Sequence, residues 1–97
     1  AQITGHEHGW ERMTPVYNGT VLQTSYNNMP SPLYIVNGAA GNREGNSMPS
    51  GNQPWSAFQS ATIGYATITI ANTTALTYHF INSANNTVID TVTITKA

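Results

Sequence analysis

The sequence predicts a mainly β protein, and three observations lead to that fold class. No segment of the 97 residues repeats its apolar side chains with the 3.6-residue period of a helix. Threonine, isoleucine and valine are abundant, and these β-branched residues favour strands. In the last third of the chain, apolar residues alternate with threonine in three segments separated by asparagine-rich turns, at residues 65–70, 76–81 and 88–95. We therefore predict that the domain ends in a three-stranded meander.

The first half of the chain predicts shorter strands joined by turns. Asn18-Gly19 is a strong signal for a two-residue hairpin turn, and Pro15 confines its strand to an edge or a strand end. A continuous apolar run at residues 33–37 is typical of a strand buried on both faces. The expected elements are, in order, a strand end at 1–4, a strand at 12–17, a hairpin with arms at 13–17 and 20–24, a proline-rich loop at 27–32 and the buried strand at 33–37.

A long stretch rich in Gly, Asn, Ser and Pro follows the buried strand, at residues 38–53. Loops of this length are uncommon in compact domains unless they have a function. Trp55 and Phe58 come next, and we expect their side chains to pack the end of the loop onto the core. His79 falls within a strand pattern, and we interpret it as a structural or surface histidine.

The composition argues against several classes of function. Charged residues make up 7% of the chain, against about 25% in an average soluble protein. A net charge of -1 provides no basic surface for nucleic acid, and no apolar run approaches the roughly 20 residues that span a membrane. Cysteine is absent, so this chain has neither disulfides nor a thiolate metal site. At this length we expect one small domain.

Two of the three histidines stand close together, in Gly5-His6-Glu7-His8-Gly9. Histidines at positions i and i+2 point to the same side if the backbone is extended, because side chains alternate along a strand. From one side they can reach one metal ion or two adjacent ions, and imidazole suits Zn, Fe, Cu and Ni. A pair of surface histidines is the alternative interpretation. Glu11 and Arg12 follow closely and are candidates for orienting the two ligands.

The segment Gly5-His6-x-His8-x-x-Glu11-Arg12 resembles the Gly-His-x-His-x-Tyr-Glu-Arg signature of purple acid phosphatases, a branch of the calcineurin-like metallophosphoesterases. Trp10 replaces the usual tyrosine. Later segments resemble the family in the same order, with a strand and glycine-rich turn at 32–42, a Trp-Ser-Ala-Phe segment at 55–58 and closing strands from residue 64. The resemblance spans nearly the whole chain and is greatest to secreted fungal or microbial forms.

This resemblance implies that residues 1–97 are the C-terminal part of a metallophosphoesterase domain. The chain would supply strands to a β-sandwich whose parent α/β fold has helices flanking the sheets. The implied activity is hydrolysis of phosphate monoesters at a dinuclear centre of Fe(III) with Zn, Mn or Fe. His6 would bind the divalent ion and His8 the ferric ion, with Glu11 and Arg12 as structural or supporting groups. The family's other ligands would precede Ala1, so we expect the isolated chain to be inactive.

The resemblance also places the long loop near the active-site face. Asn42 and Arg43 are therefore candidates for a loop on the substrate side. Arg43 would contact a phosphate or pair with Glu44. A solvated loop charge is the alternative interpretation, since exposed ion pairs contribute little.

Three segments fit the acceptor pattern for N-linked glycosylation, at Asn18-Gly19-Thr20, Asn72-Thr73-Thr74 and Asn85-Asn86-Thr87. In a chain this rich in Asn and Thr, unused acceptor sequences are the alternative for each. Together with the low charge, the three segments favour a secreted, extracellular protein that carries N-linked glycans at Asn18, Asn72 and Asn85.

Two other functions remain open at this point. Threonine-rich strands with few charges can pair through their edges with other copies of the chain, and residues 67–71 and 88–95 suit cross-strand stacking. Such a chain would be a self-associating, fibrillar, glycosylated β protein with a structural role. A carbohydrate-binding β module is the third interpretation, and it rests on Trp10, Trp55 and the tyrosines.

Overall fold

The structure is a computed structural model that describes residues 1–47 and 53–97. Within these ranges the chain forms strands and no helix, which confirms the predicted β class. None of the described residues belongs to a helix that is long and apolar enough to cross a membrane. The strands are β1 Gln2–Thr4, β2 Trp10–Met13, β3 Val16–Tyr17, β4 Thr20–Val21, β5 Tyr34–Asn37, β6 Ser56–Ser60, β7 Gly64–Asn72, β8 Ala75–Asn82 and β9 Val88–Thr95.

A four-stranded sheet has the strand order β1-β5-β2-β6. β1 pairs parallel with β5, whereas β2 pairs antiparallel with both β5 and β6. β5 thus lies between the first two strands of the chain, with Thr4 beside Val36 and Trp10 beside Asn37. The connection from β1 to β2 therefore has to cross the C-terminal end of β5, and this connection contains both candidate ligand histidines.

The last third of the chain forms the predicted antiparallel meander, in the order β7-β8-β9. In the central strand β8, Tyr78 and Phe80 are buried on one face, while Thr77 and His79 lie on the other, because side chains alternate along a strand. His79 Nδ1 is 3.2 Å from Thr91 Oγ1 on β9. The third histidine is thus part of the outer face of the meander, as its position in the strand pattern indicated.

Asn18-Gly19 closes the predicted hairpin between β3 and β4. Asn18 has a φ of +50° and Gly19 has a φ of +76°, and positive values at both central residues are typical of a type I′ turn. The paired arms are shorter than predicted, since pairing covers only Val16 with Val21 and Tyr17 with Thr20. Pro15 ends the ladder because it has no N–H to donate.

Two further elements differ from the expectations. The strand expected at residues 12–17 is divided at Pro15 into β2 and β3. Residues 56–60, expected only to pack the loop, form β6 and pair with β2. Their sequence has one large apolar side chain, Phe58, which is too few to produce a periodic signal. Phe58 does pack against the core as predicted.

The two larger sheets are joined by a small apolar core. Trp10 on β2 stacks on Phe80 on β8, with ring centroids 4.8 Å apart and planes 3° from parallel. Both rings are almost wholly removed from solvent. The buried Trp10 cannot offer its face to a sugar, so its assignment to a carbohydrate-binding surface is wrong. The core comprises Trp10, Leu33, Ile35, Ala39, Tyr78, Phe80 and Val92.

A buried carboxylate, Asp90 on β9, completes the junction between the sheets. Trp10 Nε1 donates to Asp90 Oδ2 at 2.9 Å. Arg12 donates from Nε to Oδ2 and from Nη2 to Oδ1, both at 2.9 Å. Arg12 Nη1 also donates to Tyr26 Oη at 2.7 Å, and that hydroxyl donates to Met13 O at 2.9 Å. Charge-assisted, bidentate pairing of this kind compensates for the free-energy cost of removing the carboxylate from water.

The charged state of this pair follows from its surroundings. Burial raises the pKa of Asp90, but hydrogen bonds from Arg12 and Trp10 and the charge of Arg12 outweigh burial and hold the pKa below its ordinary value. The hydrogen bond to Asp90 raises the pKa of Arg12, although burial opposes it. Because the folded-state pKa of Asp90 is lowered, its stabilising contribution is complete above the unfolded-state pKa of about 3.9. That contribution is lost as the pH falls through the folded-state value.

Replacing Asp90 with Asn tests the junction. The substitution leaves the Arg12 charge in the interior without its partner, so we expect the free energy of unfolding at pH 7 to fall by about 3–5 kcal/mol. The wild-type protein should lose stability below about pH 4, and the variant should lose this acid dependence. Urea unfolding followed by tryptophan fluorescence at pH 7 and pH 3 measures both effects. Glu44→Gln, at an exposed position, is the control. Equal stability of D90N and wild type would show that the Asp90–Arg12 pair does not stabilise the junction.

Candidate metal-binding loop

Both candidate ligand histidines lie in the connection between β1 and β2, at residues 5–9. We call this segment the histidine loop. It consists of bends instead of a strand, so the extended geometry considered for His6 and His8 is wrong. The reason is topological, because a short link between strands on either side of β5 has to turn over the end of that strand.

His6 has an uncommon backbone conformation within this loop. Its φ of +82° lies in the left-handed region, which residues with a side chain rarely adopt. Such conformations cost about 1–3 kcal/mol each and are concentrated at functional sites. Both His6 and His8 are exposed. The loop therefore presents two imidazoles to the surroundings on a strained backbone that the rest of the fold has to support.

Gly38, the first residue after β5, provides part of that support. Its amide donates to Gly9 O at 2.9 Å. A Cβ added to Gly38 would overlap the carbonyl oxygen of Glu7 and lie 3.6 Å from His8 Cα. Only glycine permits this close approach of two backbone segments. The sequence placed Gly38 in a glycine-rich turn, but its contact with Glu7 could not be found there because it depends on the strand order.

The described part of the long loop after β5 supports the histidine loop from a second point, whereas residues 48–52 of the predicted loop lie outside the described residues. Ser47 N donates to His8 O at 3.0 Å, and Gly9 N donates to Glu7 O at 3.0 Å. The backbone from Glu7 to Gly9 is therefore held by hydrogen bonds within the loop and from two outside segments. This arrangement fixes the chain at His8 more firmly than an exposed position suggests.

Asn42 and Arg43 lie in the segment that leads to Ser47. Asn42 Oδ1 accepts a hydrogen bond from Glu44 N at 2.8 Å, and Asn42 Nδ2 donates to Gly45 O at 3.1 Å. The Asn42 amide therefore shapes the turn. Arg43 is exposed in the same turn. The structure thus connects the candidate substrate-side residues to the histidine loop through Ser47.

Glu11 and Arg12, the candidate supporting residues, are adjacent on β2 and so point to opposite faces of the sheet. Glu11 Oε2 accepts a hydrogen bond from Gln59 Nε2 on β6 at 2.8 Å. Arg12 bonds Asp90 and Tyr26 on the core side. Neither side chain hydrogen-bonds a histidine within the described parts of the chain. The two side chains therefore bond β6, β9 and Tyr26, and their role in orienting the histidines stays a prediction.

The donors of the loop fit one part of a metal centre. Imidazole nitrogens suit Zn and Fe, and His6 and His8 provide two of them. Across residues 1–47 and 53–97, no group of three or more His, Cys, Asp or Glu lies close enough together to hold an ion. A structural zinc site has four protein ligands and a catalytic one about three. Further ligands would have to come from outside the described residues.

The three glycosylation sequences all present exposed asparagines, at turns for Asn18 and Asn85 and at the end of β7 for Asn72. Asn72 Oδ1 accepts hydrogen bonds from Thr74 N and Thr74 Oγ1, both at 2.8 Å. Asn85 Oδ1 accepts from Thr87 N at 3.1 Å and from Thr87 Oγ1 at 2.5 Å. Asn18 lies in the type I′ turn of the β3–β4 hairpin. The amides of Asn72 and Asn85 are thus bonded to their own threonines, and all three asparagines are exposed.

An all-β segment that displays two histidines on a supported interstrand loop is a module that can contribute ligands to a metal centre. The family described as "Iron/zinc purple acid phosphatase-like protein C" matches residues 31–91. This match covers more than half of the chain, and the chain belongs to this purple acid phosphatase family. The matched region begins after the histidine loop, so it does not itself include His6 and His8.

Known proteins resemble nearly all of this chain and are much longer. "Acid phosphatase A" of Cryphonectria parasitica is 38% identical over 96 residues, which are 98% of this chain and 19% of that protein. "Acid phosphatase type 7" of Danio rerio is 34% identical over an alignment 102 residues long that covers 98% of this chain and 23% of that protein. The chain therefore spans about a fifth of the length of these curated relatives.

A solved structure confirms the fold. A purple acid phosphatase isolated from yellow lupin (Lupinus luteus) seeds superposes with a TM-score of 0.88 at 24% identity. The match covers 97% of this chain and 17% of that chain. The resemblance seen in the sequence therefore predicted the architecture correctly, as C-terminal strands of the purple acid phosphatase fold that end in a meander.

Gly38→Ala tests whether Gly38 holds the histidine loop. The new Cβ would displace the backbone at Glu7, so we expect amide hydrogen exchange at Gly9 and Ser47 to accelerate about tenfold or more, as in local opening. Gly5→Ala is the matched control, because its Cβ would meet only Asn37 O, at an ordinary 3.9 Å. Exchange measured by NMR should be unchanged in G5A. Equal protection in G38A and wild type would show that the loop is held without Gly38.

Proposed function

We propose that this chain is the histidine-bearing C-terminal segment of a metal-dependent acid phosphatase that hydrolyses phosphate monoesters. In this proposal, His6 and His8 are ligands of a dinuclear centre, with His6 on the divalent Zn, Mn or Fe and His8 on Fe(III). The supported histidine loop over the end of β5 is the observation that carries it. The remaining ligands come from the rest of a chain as long as the relatives.

The residues of this chain act by holding two imidazoles in place. Gly38 and Ser47 bond the loop at Gly9 and His8, and Trp10, which follows the loop, is anchored to Asp90. Such preorganisation reduces the conformational entropy lost when a metal binds. When bound, the dinuclear centre supplies Lewis acidity toward the phosphoryl group and a nucleophile derived from water.

Arg43 is our candidate for a contact with the substrate phosphate. It is exposed in the turn that Asn42 shapes, and the same segment reaches the histidine loop at Ser47. A guanidinium binds a phosphate through two parallel hydrogen bonds, which gives orientation as well as charge. Asn42 supports this role by fixing the turn, since its side-chain amide oxygen and nitrogen each form a hydrogen bond with the backbone of that turn.

The rest of the longer chain and N-linked glycans are the proposed partners. β1 is an edge strand that pairs only with β5 among the described residues, and its Ile3 is 43% exposed. That edge suits another strand of the longer chain. The exposed sequences at Asn18, Asn72 and Asn85, with the similarity to fungal acid phosphatases, support secretion of a glycosylated protein. The comparisons give no support to a self-associating structural role.

Histidine variants of the whole enzyme test the ligand assignment. We expect His6→Ala and His8→Ala each to lower metal affinity and kcat by more than about a hundredfold, beyond the 10–100-fold typical of residues that only support ligands. His79→Ala, on the outer face of the meander, is the matched control and should retain both. Metal titration followed by mass spectrometry and phosphomonoester turnover are the measurements. Unchanged metal affinity in H6A and H8A would refute the assignment.

The purified 97-residue chain should lack activity toward a phosphate monoester such as p-nitrophenyl phosphate. Two histidines cannot hold a catalytic pair of metals, because each ion needs about three protein ligands. The assay is run with Fe and Zn supplied in excess and with the whole enzyme as positive control. Turnover that copurifies with the 97-residue chain through two successive columns would overturn this expectation.

A further inference from the structure

The β3–β4 hairpin places a glycosylation sequence in a specific turn geometry. Asn18 and Gly19 are its central residues, and both have positive φ. Tyr17 precedes them and pairs with Thr20 across the ladder. The turn therefore brings an aromatic ring, the acceptor amide and the threonine of the acceptor sequence together within four successive residues.

A cavity of about 250 Å³ opens beside this turn, lined by Val16, Tyr17, Asn18, Gly19, Tyr34 and Trp55. Trp55 is held there because its carbonyl accepts hydrogen bonds from Thr14 N at 2.7 Å and Thr14 Oγ1 at 3.1 Å. Its ring extends over the turn, since a Cβ added to Gly19 would lie 4.0 Å from Trp55 Cζ3. Tyr17 is 71% exposed. The rings of Tyr17 and Trp55 thus form an aromatic wall of the cavity, and the Tyr17 side is open to solvent.

The lining indicates the kind of ligand that fits. None of the six residues carries a charge, so the cavity does not select a phosphate or a metal ion. It is also smaller than the roughly 300–1,000 Å³ of sites for drug-sized molecules, which points to a single ring. Aromatic faces carry partial negative charge, and the C–H bonds on one face of a sugar ring are suited to contact them.

We propose that the N-linked glycan at Asn18, which belongs to the proposed function and on which this inference rests, packs its first N-acetylglucosamine into this cavity against Tyr17 and Trp55. Asn18 itself lines the cavity, so a sugar on its amide is held beside the aromatic rings at high effective concentration. The contact joins the hairpin to the strand that begins after Trp55. The glycan therefore stabilises the fold from outside, independently of any metal bound at the histidine loop.

The modification itself is a transfer from a lipid-diphosphate-linked oligosaccharide. A bond forms between Asn18 Nδ2 and the anomeric carbon of the N-acetylglucosamine. The bond from that carbon to the diphosphate oxygen breaks, and the lipid diphosphate leaves with the electron pair. Asn18 Nδ2 loses one proton to a basic group of the enzyme that catalyses the transfer.

Thr20→Ala tests the proposal, because it removes the acceptor sequence and leaves Asn18-Gly19 in the turn unchanged. Wild type and T20A of the whole protein are produced both in secreting eukaryotic cells, with glycans trimmed to one N-acetylglucosamine, and in bacteria, without glycans. The bacterial pair measures the effect of the threonine alone. In each pair we compare the equilibrium constant for unfolding of T20A with that of wild type. We expect this ratio to be about three- to tenfold larger in the secreted pair than in the bacterial pair, which is the effect of losing one aromatic contact. T20S, which keeps the sequence, should match wild type.

Tyr17→Ser then separates the cavity from a general effect of glycosylation. Tyr17 is mostly exposed, so the variant should fold, and it should abolish the stabilisation by the glycan. Thr87→Ala, which removes the sequence at Asn85, measures the effect of a glycan in a different turn. Peptide mass spectrometry reports occupancy. An unmodified Asn18 in secreted protein, or stabilisation by its glycan that persists in Y17S, would overturn the proposal.

Discussion

The bonds to Asp90 are the constraint on which the rest of the structure depends. Asp90 is the single aspartate of a chain with only 7% charged residues, and it is buried where an uncompensated charge is most costly. Its donors, Trp10 and Arg12, both lie on β2. One carboxylate on the last strand therefore sets where β2 begins relative to the meander. Because the histidine loop ends where β2 begins, the same bonds determine the position of the candidate metal ligands.

In the histidine loop, the fold imposes a backbone conformation that the local sequence does not favour. The φ of His6 is unfavourable in isolation, yet the crossing over β5 requires a sharp turn there. Gly38 allows the two backbones to touch, and Ser47 bonds the loop from the other side. Proteins commonly break local rules at functional sites and compensate through the surrounding structure. The backbone of the histidine loop breaks such a rule at His6 and is supported by its neighbours, whereas the meander follows the regular strand pattern.

Sequence reasoning predicted the parts of this fold that depend on neighbours along the chain. Alternation marked the strands around Phe80 and Val92, and Asn18-Gly19 marked the hairpin, because periodicity and turn chemistry are local properties. The bend at His6 and the contact of Gly38 were missed because both arise from β5 lying between β1 and β2. The burial of Trp10 was missed because its stacking partner, Phe80, lies on the other sheet and is distant in the sequence.

The separation between Trp10 and Asp90 has a consequence for the order in which the site forms. The indole and its acceptor are 80 residues apart in the chain, and contacts of such long range form late and slowly because a large loop has to close first. During synthesis the two histidines leave the ribosome before the strand that anchors their loop, because β9 follows them in the sequence. Under the proposed ligand role, a metal ion that arrives before β9 docks meets two unrestrained imidazoles, and the loop acquires its folded geometry only once β9 is in place.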